Sequence, residues 1–248
     1  MKRHSKLIAL IPARFGSERI KDKNIINLFG HPLIAYAINA AIKTKIFDKI
    51  LVSTDSLKYK KIAEKYGAEI PFLRPKKISK SFSSDYEWVN YTLKKLEKNN
   101  QKFTHFFILR PTNPLRSHNT ICNAWNVFKK NKVDSLRAVE YVKQHPGKMW
   151  LKKGKFIKPL LNFKVKKQPS FNNQMKVLPK ILVQNASLEI SKTGVLKKYK
   201  TITGKKILPF FSPSIEGFDI NYPEDLVNLR NKIMKKKIKL PLIKKLKK

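Results

Sequence analysis

Three short, largely apolar runs constrain the fold of this 248-residue chain more than any other feature of its sequence. They cover residues 7–11, 50–54 and 105–109, and each is followed by polar residues and then by a segment with helical spacing of apolar residues. Runs of this kind are typical of strands that are buried on both faces. The alternation predicts an α/β fold with a doubly wound, mostly parallel sheet. Ligands of such sheets bind at the carboxyl ends of the strands.

The rest of the chain is predicted less regularly. Helices are expected at residues 32–47, 58–66, 85–98 and 119–130, a short extended piece at 70–73, an ordered segment at 181–191, and a strand, a turn and a closing helix over 216–231. Between about residues 140 and 180 a lysine-rich stretch with several prolines indicates an inserted arm or hairpin. We therefore predict one domain over residues 1–233 and a solvated lysine-rich tail over residues 234–248.

The formal net charge of +39 raises the question of a nucleic-acid partner. Only 8 of the 55 basic residues are arginine, however, and the lysines are spread over every segment instead of being clustered with aromatic residues. We interpret the charge as a compositional bias and expect no specific nucleic-acid partner. The charge should still attract phosphate-rich substrates.

The cysteine and hydropathy patterns indicate where such a chain resides. Cys122 is the single cysteine and cannot form an internal disulfide, as is usual in a reducing compartment. No run of 18 or more apolar residues occurs, so no membrane span is predicted, and residues 7–13 are too short for the core of a signal peptide. We therefore expect a cytoplasmic protein.

Residues 13–24, which we call the first loop, follow the first apolar run and form the first candidate site. Gly16 lets the backbone approach a phosphate closely, and Ser17 supplies a hydroxyl. The positive charges of the loop come from Arg14, Arg19 and Lys23. The loop contains neither a Gly-Lys-Ser/Thr ending nor a G-x-G-x-x-G pattern, so it is not a P-loop or a dinucleotide loop. As generic chemistry it is equally consistent with a solvated basic loop.

The order of residues in the first loop is more specific than its chemistry. Ala13 to Asn24 resembles the signature Ala-Arg-x-Gly-Ser-x-Arg-Ile/Leu-x-x-Lys-Asn of the acylneuraminate cytidylyltransferases. Further segments resemble that family in the same order along the chain: residues 52–55, 66–68, 72–75, 110–116, 145–148, 184–189 and 217–225. The resemblance covers nearly the whole chain up to about residue 230.

The resemblance implies a Rossmann-like nucleotidyltransferase fold and a CTP-dependent activity. An enzyme of this family transfers CMP from CTP to a nine-carbon, sialic-acid-like 2-keto sugar acid, releases pyrophosphate and uses Mg²⁺. It also implies a homodimer that pairs through the inserted arm. Within this reaction class, catalysis consists mostly of positioning and of neutralising charge.

The resemblance also implies roles for individual residues. The triphosphate and nucleotide would be held by Ala13, Arg14, Gly16, Ser17, Arg19, Lys23 and Asn24, and the cytidine pocket would be lined by Arg74, Ser84 and Asp85. The sugar acid would meet Arg110, Thr112, Asn113, Lys148 and Asn185, with Lys148 as the candidate for its carboxylate. Asp219 would bind the metal, with Asn221 at a second metal-side position, and the catalytic set would be Arg14, Lys23 and Asp219. No general base is assigned.

Several positions depart from the family pattern, mostly on the sugar and metal side. Asn221 stands where many members have an aspartate, Arg110 replaces a glutamine, and Met175 falls near a frequent arginine. Ala186 follows Asn185 where glycine is usual.

Other interpretations remain open at this point. One is activation of the eight-carbon sugar Kdo, whose enzymes usually carry proline at the position of Asn24, or of a sugar phosphate. Another is a basic polyanion-binding protein without catalysis. At single positions, Arg74 and Arg116 are alternatively surface arginines, and Asp85 is alternatively a helix N-cap.

Overall fold

The computed structural model describes residues 5–235 and 237–243. The chain divides into two compact units. The first comprises Met1–Ala138 and Asn185–Lys248, and the second comprises Val139–Gln184. The second unit falls in the stretch where the sequence predicts an inserted arm.

A six-stranded sheet organises the first unit. Its strands are β1 (Leu7–Pro12), β2 (Lys49–Ser53), β3 (His105–Ile108), β4 (Ser135–Tyr141), β5 (Leu182–Lys192) and β6 (Ile207–Phe211). They lie in the order β6-β4-β5-β3-β1-β2. Strand β1 lies beside the edge strand β2 and is parallel to both β2 and β3, whereas β5 runs antiparallel to β3. The parallel strands bring three carboxyl ends, and the loops that follow them, to one edge of the sheet.

Six α-helices accompany the sheet: α1 (Leu33–Thr44), α2 (Leu57–Glu64), α3 (Asp85–Lys98), α4 (His118–Lys129), α5 (Gly194–Tyr199) and α6 (Pro223–Met234). Serine side chains begin three of them, because each hydroxyl accepts a bond from an amide that has no partner within the helix. Ser56 caps α2, Ser84 caps α3 and Ser117 caps α4. None of the helices in the described ranges is long and apolar enough to cross a membrane.

Short 3-10 helices and hairpins complete the fold. The 3-10 helices are Lys23–Ile25, Lys76–Ile78, Pro146–Lys148, Ser170–Asn172, Met175–Val177 and Ser214–Gly217. The two-stranded hairpins pair Asn27–Leu28 with His31–Pro32, Trp150–Lys153 with Phe156–Pro159, and Lys164–Val165 with Gln168–Pro169.

The core lies on both faces of the sheet, as the apolar strand runs predict. Ala9 and Ile11 of β1 belong to a cluster on one face, and Ile8 and Leu10 belong to a cluster on the other. Adjacent residues of a strand point to opposite faces, so a strand that contributes to both clusters has to be apolar throughout. The predicted fold class, a doubly wound and mostly parallel α/β sheet, is confirmed.

Some predicted elements are wrong. Residues 70–73 form no strand, and the extended pairing there is limited to a bridge between Leu51 and Glu69. The strand expected before the closing helix is instead the 3-10 helix Ser214–Gly217. Strands β4 and β6 and helix α5 are additional elements that the sequence pattern did not reveal, because their apolar residues are interrupted by lysine, arginine and proline.

Residues 237–243 of the predicted solvated tail are partly exposed and partly packed, and Leu242 is 84% exposed. Ile238, Leu240 and Ile243 are half-buried against the hydrophobic clusters. The Lys43 ammonium donates to the Leu242 carbonyl at 2.9 Å, which ties this segment to α1. The remaining positions of the predicted tail beyond residue 235, namely 236 and 244–248, lie outside the described residues.

Candidate active site

The first loop begins as a continuation of the sheet. The Ala13 amide donates to the Ser53 carbonyl at 2.9 Å, which extends the pairing of β1 with β2. Asn24 is buried, and its side-chain amide donates to the Arg14 carbonyl at 3.2 Å, so the two ends of the loop are fastened to each other. Gly16 adopts a φ of +74° with open space where a Cβ would stand. Open space on a left-handed residue is what the close approach of an anion to the backbone requires.

Lys23 reaches from the first loop to the segment before α6. Its ammonium donates to the Ile220 carbonyl at 3.1 Å and lies 3.5 Å from Asn221 Oδ1. Burial lowers the pKa of the Lys23 ammonium; the Asp219 charge opposes the shift, and Arg19 and Arg14 add to it. The structure therefore brings together Lys23, Asp219 and Asn221, which the sequence separates by almost 200 positions.

Asp219 offers one carboxylate oxygen to an external group. Its Oδ2 accepts from Asn221 Nδ2 at 2.7 Å, while its Oδ1 is buried and has no hydrogen-bond partner among the described residues. A buried oxygen without a partner is costly unless a ligand or an ion completes it. No cluster of three or more His, Cys, Asp or Glu side chains occurs in the described part of the chain, so a metal here would take further ligands from a substrate. A hard cation such as Mg²⁺, which shares substrate phosphate oxygens, fits this set.

Asn221 has an orientation that the sequence did not predict. Its amide nitrogen faces Asp219 and its amide oxygen faces Lys23, so both ends of the side chain are engaged within the site. This arrangement favours a role in holding Asp219 over direct coordination. The next residues are fixed by Asp225, whose Oδ2 accepts from the Asn221 and Tyr222 amides at 2.8 Å each.

The other residues of the first loop lie nearer to solvent. Arg14 donates to the Gly16 carbonyl at 2.9 Å, Arg19 is exposed with its guanidinium 5.0 Å from the centre of the Tyr222 ring, and Ser17 is half-buried. The charges of Arg14 and Arg19 act on Lys23, and none of these three cations is paired directly with a carboxylate in the described part of the chain. This arrangement suits an anionic ligand.

Two anchors of the first loop were missed by sequence reasoning. The Phe15 amide donates to Asp55 Oδ1 at 2.7 Å, and the Asp22 carboxylate accepts from the Tyr59 hydroxyl and the Lys58 ammonium, each at 2.9 Å. The acidic residue that follows the second apolar run was a visible signal for Asp55. Nothing in the sequence indicated that a tyrosine on α2 would reach residue 22.

Two predicted residues, Asp85 and Arg110, belong to what we call the charge cluster, which also contains Arg137 and Glu189. Arg110 Nη2 donates to Asp85 Oδ2 at 2.5 Å and to Glu189 Oε1 at 2.8 Å, and Arg137 pairs with the other oxygen of Glu189. Asp85 Oδ1 also accepts from the Trp88 indole at 2.7 Å. Glu189 and Arg137 were not predicted, because charged residues on strands β4 and β5 gave no sign that they pair.

The ionisation of Asp85 follows from these contacts. Burial by itself would raise the pKa of Asp85, but the charge and hydrogen bond of Arg110 and the bond from Trp88 outweigh it. The pKa lies below its ordinary value of 3.8. Asp85 is not the N-cap of α3, which is Ser84; the Ser84 hydroxyl and amide form a reciprocal capping box with Glu87.

Arg74 and Arg116 are not surface arginines. Arg74 is 6% exposed; it donates from Nε to Ser53 Oγ at 3.0 Å and from Nη2 to the Ser53 carbonyl at 2.8 Å, and burial lowers its pKa to about 10. Arg116 is 1% exposed and donates to the Arg110 carbonyl at 3.3 Å and to the Ser187 carbonyl. Both arginines fasten loops at the carboxyl edge of the sheet.

The residues predicted to meet the sugar acid fall in different surroundings. The Thr112 carbonyl accepts from the Ile220 amide at 2.9 Å, which places it next to Asp219. Asn113 is buried, with neither amide atom hydrogen-bonded in the described residues. Asn185 donates to Ser212 Oγ at 2.9 Å, and its neighbour Ala186 has a left-handed φ of +57°. Glycine adopts that conformation without strain, which explains why alanine here is a departure with a physical cost.

Lys148 belongs to the second unit. Its ammonium donates to the Phe171 carbonyl at 3.3 Å, and the turn before it is fixed by His145, whose Nδ1 accepts from the Gly147 amide at 3.0 Å. Its assignment to the carboxylate of the sugar acid stays a prediction.

Comparisons of sequence place this geometry in a family. A profile described as Cytidylyltransferase matches residues 8–237. A CMP-N,N'-diacetyllegionaminic acid synthase of Legionella pneumophila is 30% identical over 89% of this chain and 93% of its own length. A pseudaminic acid cytidylyltransferase of Campylobacter jejuni is 40% identical over 54% of this chain, and the chain spans 57% of that relative's length.

Comparisons of structure agree on the fold. A CMP-2-keto-3-deoxy-manno-octonic acid synthetase complexed with CTP superimposes with a TM-score of 0.67 at 14% identity, covering 94% of this chain and 100% of that one. A 4-diphosphocytidyl-2C-methyl-D-erythritol synthase from Anaerococcus prevotii gives 0.63 at 13%, covering 93% and 99%. At such identities the likeness concerns the fold alone. The predicted resemblance is confirmed: from its profile match over nearly the whole chain and its full-length relative, this chain belongs to the cytidylyltransferase family.

Proposed function

We propose that this protein transfers CMP from CTP to a nine-carbon, sialic-acid-like nonulosonic acid, such as N-acetylneuraminate or a legionaminate, and releases pyrophosphate. The observation that carries the proposal is the contact of Lys23 with the Asp219–Asn221 segment, which gathers the loop cations and a carboxylate at the carboxyl edge of the sheet. The relatives named for pseudaminic, legionaminic and N-acylneuraminic acids support the acceptor class.

The chemistry of the first loop suits the donor substrate. In the proposed reaction the anomeric hydroxyl of the sugar acid attacks the α-phosphorus of CTP, the bond from that phosphorus to the bridging oxygen breaks, and a proton is released. Negative charge then builds on the phosphate oxygens. The backbone at Gly16 and the charges of Arg14 and Lys23 would stabilise it. Lys23, whose ammonium now donates to the Ile220 carbonyl, is the residue that we assign to the α-phosphate.

Asp219 would hold a magnesium ion through its unpartnered Oδ1. When bound there, Mg²⁺ would neutralise charge on the triphosphate, which is its usual contribution in phosphoryl chemistry. Asn221 keeps the second oxygen of Asp219 engaged and so directs Oδ1 toward the ligand. We expect EDTA to abolish turnover. Asp219→Asn should raise the magnesium concentration needed for the half-maximal rate. Asp225→Asn should instead lower the free energy of unfolding, because the Asp225 carboxylate caps the start of α6.

The proposal is tested by pyrophosphate release from CTP and magnesium with a panel of 2-keto sugar acids. We expect turnover with at least one nine-carbon acid and formation of its CMP conjugate by mass spectrometry. ATP, GTP and UTP serve as donor controls and should be inactive. Lys21→Ala is the matched protein control, because Lys21 is an exposed lysine of the same loop.

The other interpretations predict different results in the same assay. Turnover with Kdo alone would establish the eight-carbon alternative and contradict the proposed acceptor. No turnover with any acid, together with salt-sensitive binding of RNA, would establish the polyanion-binding alternative. We infer a cytoplasmic location because CTP is the proposed donor, and fractionation of the native cell checks it.

We also propose that the protein is a homodimer that pairs through the second unit. All residues of the hairpin strands Trp150–Lys153 and Phe156–Pro159 are exposed except Pro159, which is half-buried, and Phe156 is 68% and Ile157 61% exposed. An isolated two-stranded hairpin is only marginally stable, and exposed apolar side chains on it favour a covering partner. A second copy of the chain is the partner we propose.

Light scattering at micromolar concentration should give about twice the monomer mass of 28.9 kDa. The double variant Phe156→Ser with Ile157→Ser should give the monomer mass. Val227→Ser on α6 removes a comparably exposed apolar side chain outside the hairpin and should remain dimeric. A monomeric wild-type protein would contradict the dimer but not the proposed reaction.

A further inference from the structure

Asp22, the residue immediately before Lys23, is held by contacts that lie outside the candidate active site. Asp22 has a left-handed φ of +55° and begins the 3-10 helix Lys23–Ile25, whose Ile25 amide donates to the Asp22 carbonyl at 2.9 Å. The backbone at residue 22 thus fixes the direction in which Lys23 leaves the loop. Residues other than glycine adopt this conformation only rarely, so surrounding contacts must maintain it at Asp22.

Those contacts come from the first turn of α2. Asp22 Oδ1 accepts from the Tyr59 hydroxyl and Oδ2 accepts from the Lys58 ammonium, both at 2.9 Å. The two donors are not equivalent. The Lys58 side chain is 60% exposed, so its ion pair is screened and contributes little. Tyr59 is fully buried, so its hydroxyl is held in one place by the core around its ring.

Burial makes the Tyr59 hydroxyl a dependable donor. Burial and the bond to Asp22 both raise the pKa of the Tyr59 hydroxyl, so the proton stays on the oxygen. The same ring packs edge-on against Phe15 with centroids 5.9 Å apart, and the Phe15 amide is bound by Asp55. Both halves of the first loop therefore rest on the same part of the fold, at the end of β2 and the start of α2.

We infer that Tyr59, acting through Asp22, is a positioning residue for Lys23. Its buried hydroxyl holds Asp22 in the left-handed conformation from which the Lys23 ammonium reaches the Asp219–Asn221 segment. We assign neither Tyr59 nor Asp22 a contact with the proposed substrates. The inference rests on the proposed function for its kinetic consequence, but the position of Lys23 is measurable without turnover.

The kinetic test is a cycle of Tyr59→Phe, Asp22→Gly and the double variant. Phenylalanine keeps the buried ring, and glycine removes the carboxylate while tolerating φ +55°. Each single variant should lower kcat about 10-fold with little change in the KM for CTP, because a displaced catalytic group loses mainly transition-state stabilisation. The double variant should be no slower than the singles, because both substitutions remove the same bond between Tyr59 and Asp22 and the exposed Lys58 pair contributes little.

Tyr36→Phe is the matched control for a purely structural effect. Tyr36 is likewise buried, and its hydroxyl donates to the Leu28 carbonyl at 2.6 Å, so the variant loses one buried hydrogen bond. It should lower the unfolding midpoint as much as Tyr59→Phe does and leave kcat unchanged. An unchanged kcat in Tyr59→Phe, multiplicative losses in the double variant, or an equal loss of kcat in Tyr36→Phe would each overturn the inference.

A second measurement separates this inference from the proposed function. Reductive methylation with ¹³C-formaldehyde labels lysines, and the Lys23 resonance is assigned by its loss in Lys23→Arg. In wild type it should differ from the exposed lysines, and in Tyr59→Phe it should move to their position. A resonance that stays in place contradicts the positioning role even if no sugar acid is ever turned over. If wild type shows no turnover but the Lys23 resonance still moves in Tyr59→Phe, the proposed function is contradicted and the positioning role is not.

Discussion

The first loop and the charge cluster lie at the same edge of one sheet but treat charge in opposite ways. In the first loop, Arg14, Arg19 and Lys23 have backbone, amide or aromatic neighbours, and none of them is paired directly with a carboxylate of residues 5–235 or 237–243. In the charge cluster, Arg110 binds two carboxylates and Arg137 binds the buried Glu189. Cations that are not paired with a protein carboxylate are available to an anionic ligand, whereas cations that complete buried carboxylates hold the protein together. Arginine and lysine side chains at this edge therefore bind a ligand or stabilise the fold, depending on whether a protein carboxylate is already paired with them.

The strongest test of the comparison is Lys23→Ala. Because Lys23 is proposed to meet the charge that develops on the α-phosphate, its loss should lower kcat by about 10²–10³-fold. The variant should unfold close to the wild-type midpoint, since Lys23 is only half-buried and its proposed partner is a ligand. Steady-state pyrophosphate release and urea unfolding measure the two effects. Near-normal kinetics would show that the first loop is misassigned, and Lys21→Ala is the control that should retain activity.

Arg110→Ala should show the opposite profile. Its removal leaves Asp85 and Glu189 short of a cation at a partly buried position, and we expect a loss of about 3 kcal/mol in the free energy of unfolding. Urea denaturation followed by tryptophan fluorescence measures it. Lys102→Ala removes an exposed ion pair with Glu97 and should cost less than about 0.5 kcal/mol. If Arg110→Ala were as stable as wild type but had lost turnover of the sugar acid, Arg110 would bind the ligand. The charge cluster would then not differ from the first loop in this respect.

Acid sensitivity gives a smaller test of the charge cluster. The pKa of Asp85 is lowered in the folded state, so its contribution is present above the ordinary value of 3.8 and is lost as the pH falls through the folded-state pKa. Wild type should therefore be more stable than Asp85→Asn at pH 6, by less than about 1 kcal/mol, and the gap should close toward pH 3. Unfolding midpoints across that range measure the gap. Glu97→Gln on the exposed face of α3 should show no comparable closure.

The smallest expected effect concerns strain on β5, the strand that carries Glu189. Ala186 has a φ of +57°, which costs alanine about 1–2 kcal/mol relative to glycine. The greater conformational freedom of glycine in the unfolded chain offsets about 0.5–1 kcal/mol of this gain in stability. Ala186→Gly should therefore stabilise the protein by about 0.5 kcal/mol. Ala124→Gly within α4, where φ is helical, is the control and should destabilise it. Destabilisation by Ala186→Gly would show that the alanine side chain packs well enough to offset the strain.

Much of the fold could be predicted from the sequence because buried parallel strands have a distinctive composition. Strand β1 must be apolar on both faces, so Leu7–Pro12 was visible as a run, and α3 was predicted with the bounds Asp85–Lys98 that it has. Strands β4 and β6 were not visible, because a strand such as Ile207–Phe211 alternates between half-buried and exposed residues and contains a proline. Local patterns indicate burial, and Ile207–Phe211 is only partly buried. Strand β4 is mostly buried, but Ser135, Arg137 and Glu140 interrupt its apolar residues.

The site divides along the same line. The chemistry of the first loop could be predicted from the sequence, because Arg14, Gly16 and Lys23 are close in the chain and their order identifies the family. Three contacts could not be predicted and became visible only in the folded chain: Lys23 with Asn221, Arg110 with Glu189, and Tyr59 with Asp22. These partners are distant in the sequence, and the packing of separate strands and helices brings them together. The sequence shows which charged and polar side chains are present, but the distances between those side chains are set only when the sheet and its helices have packed.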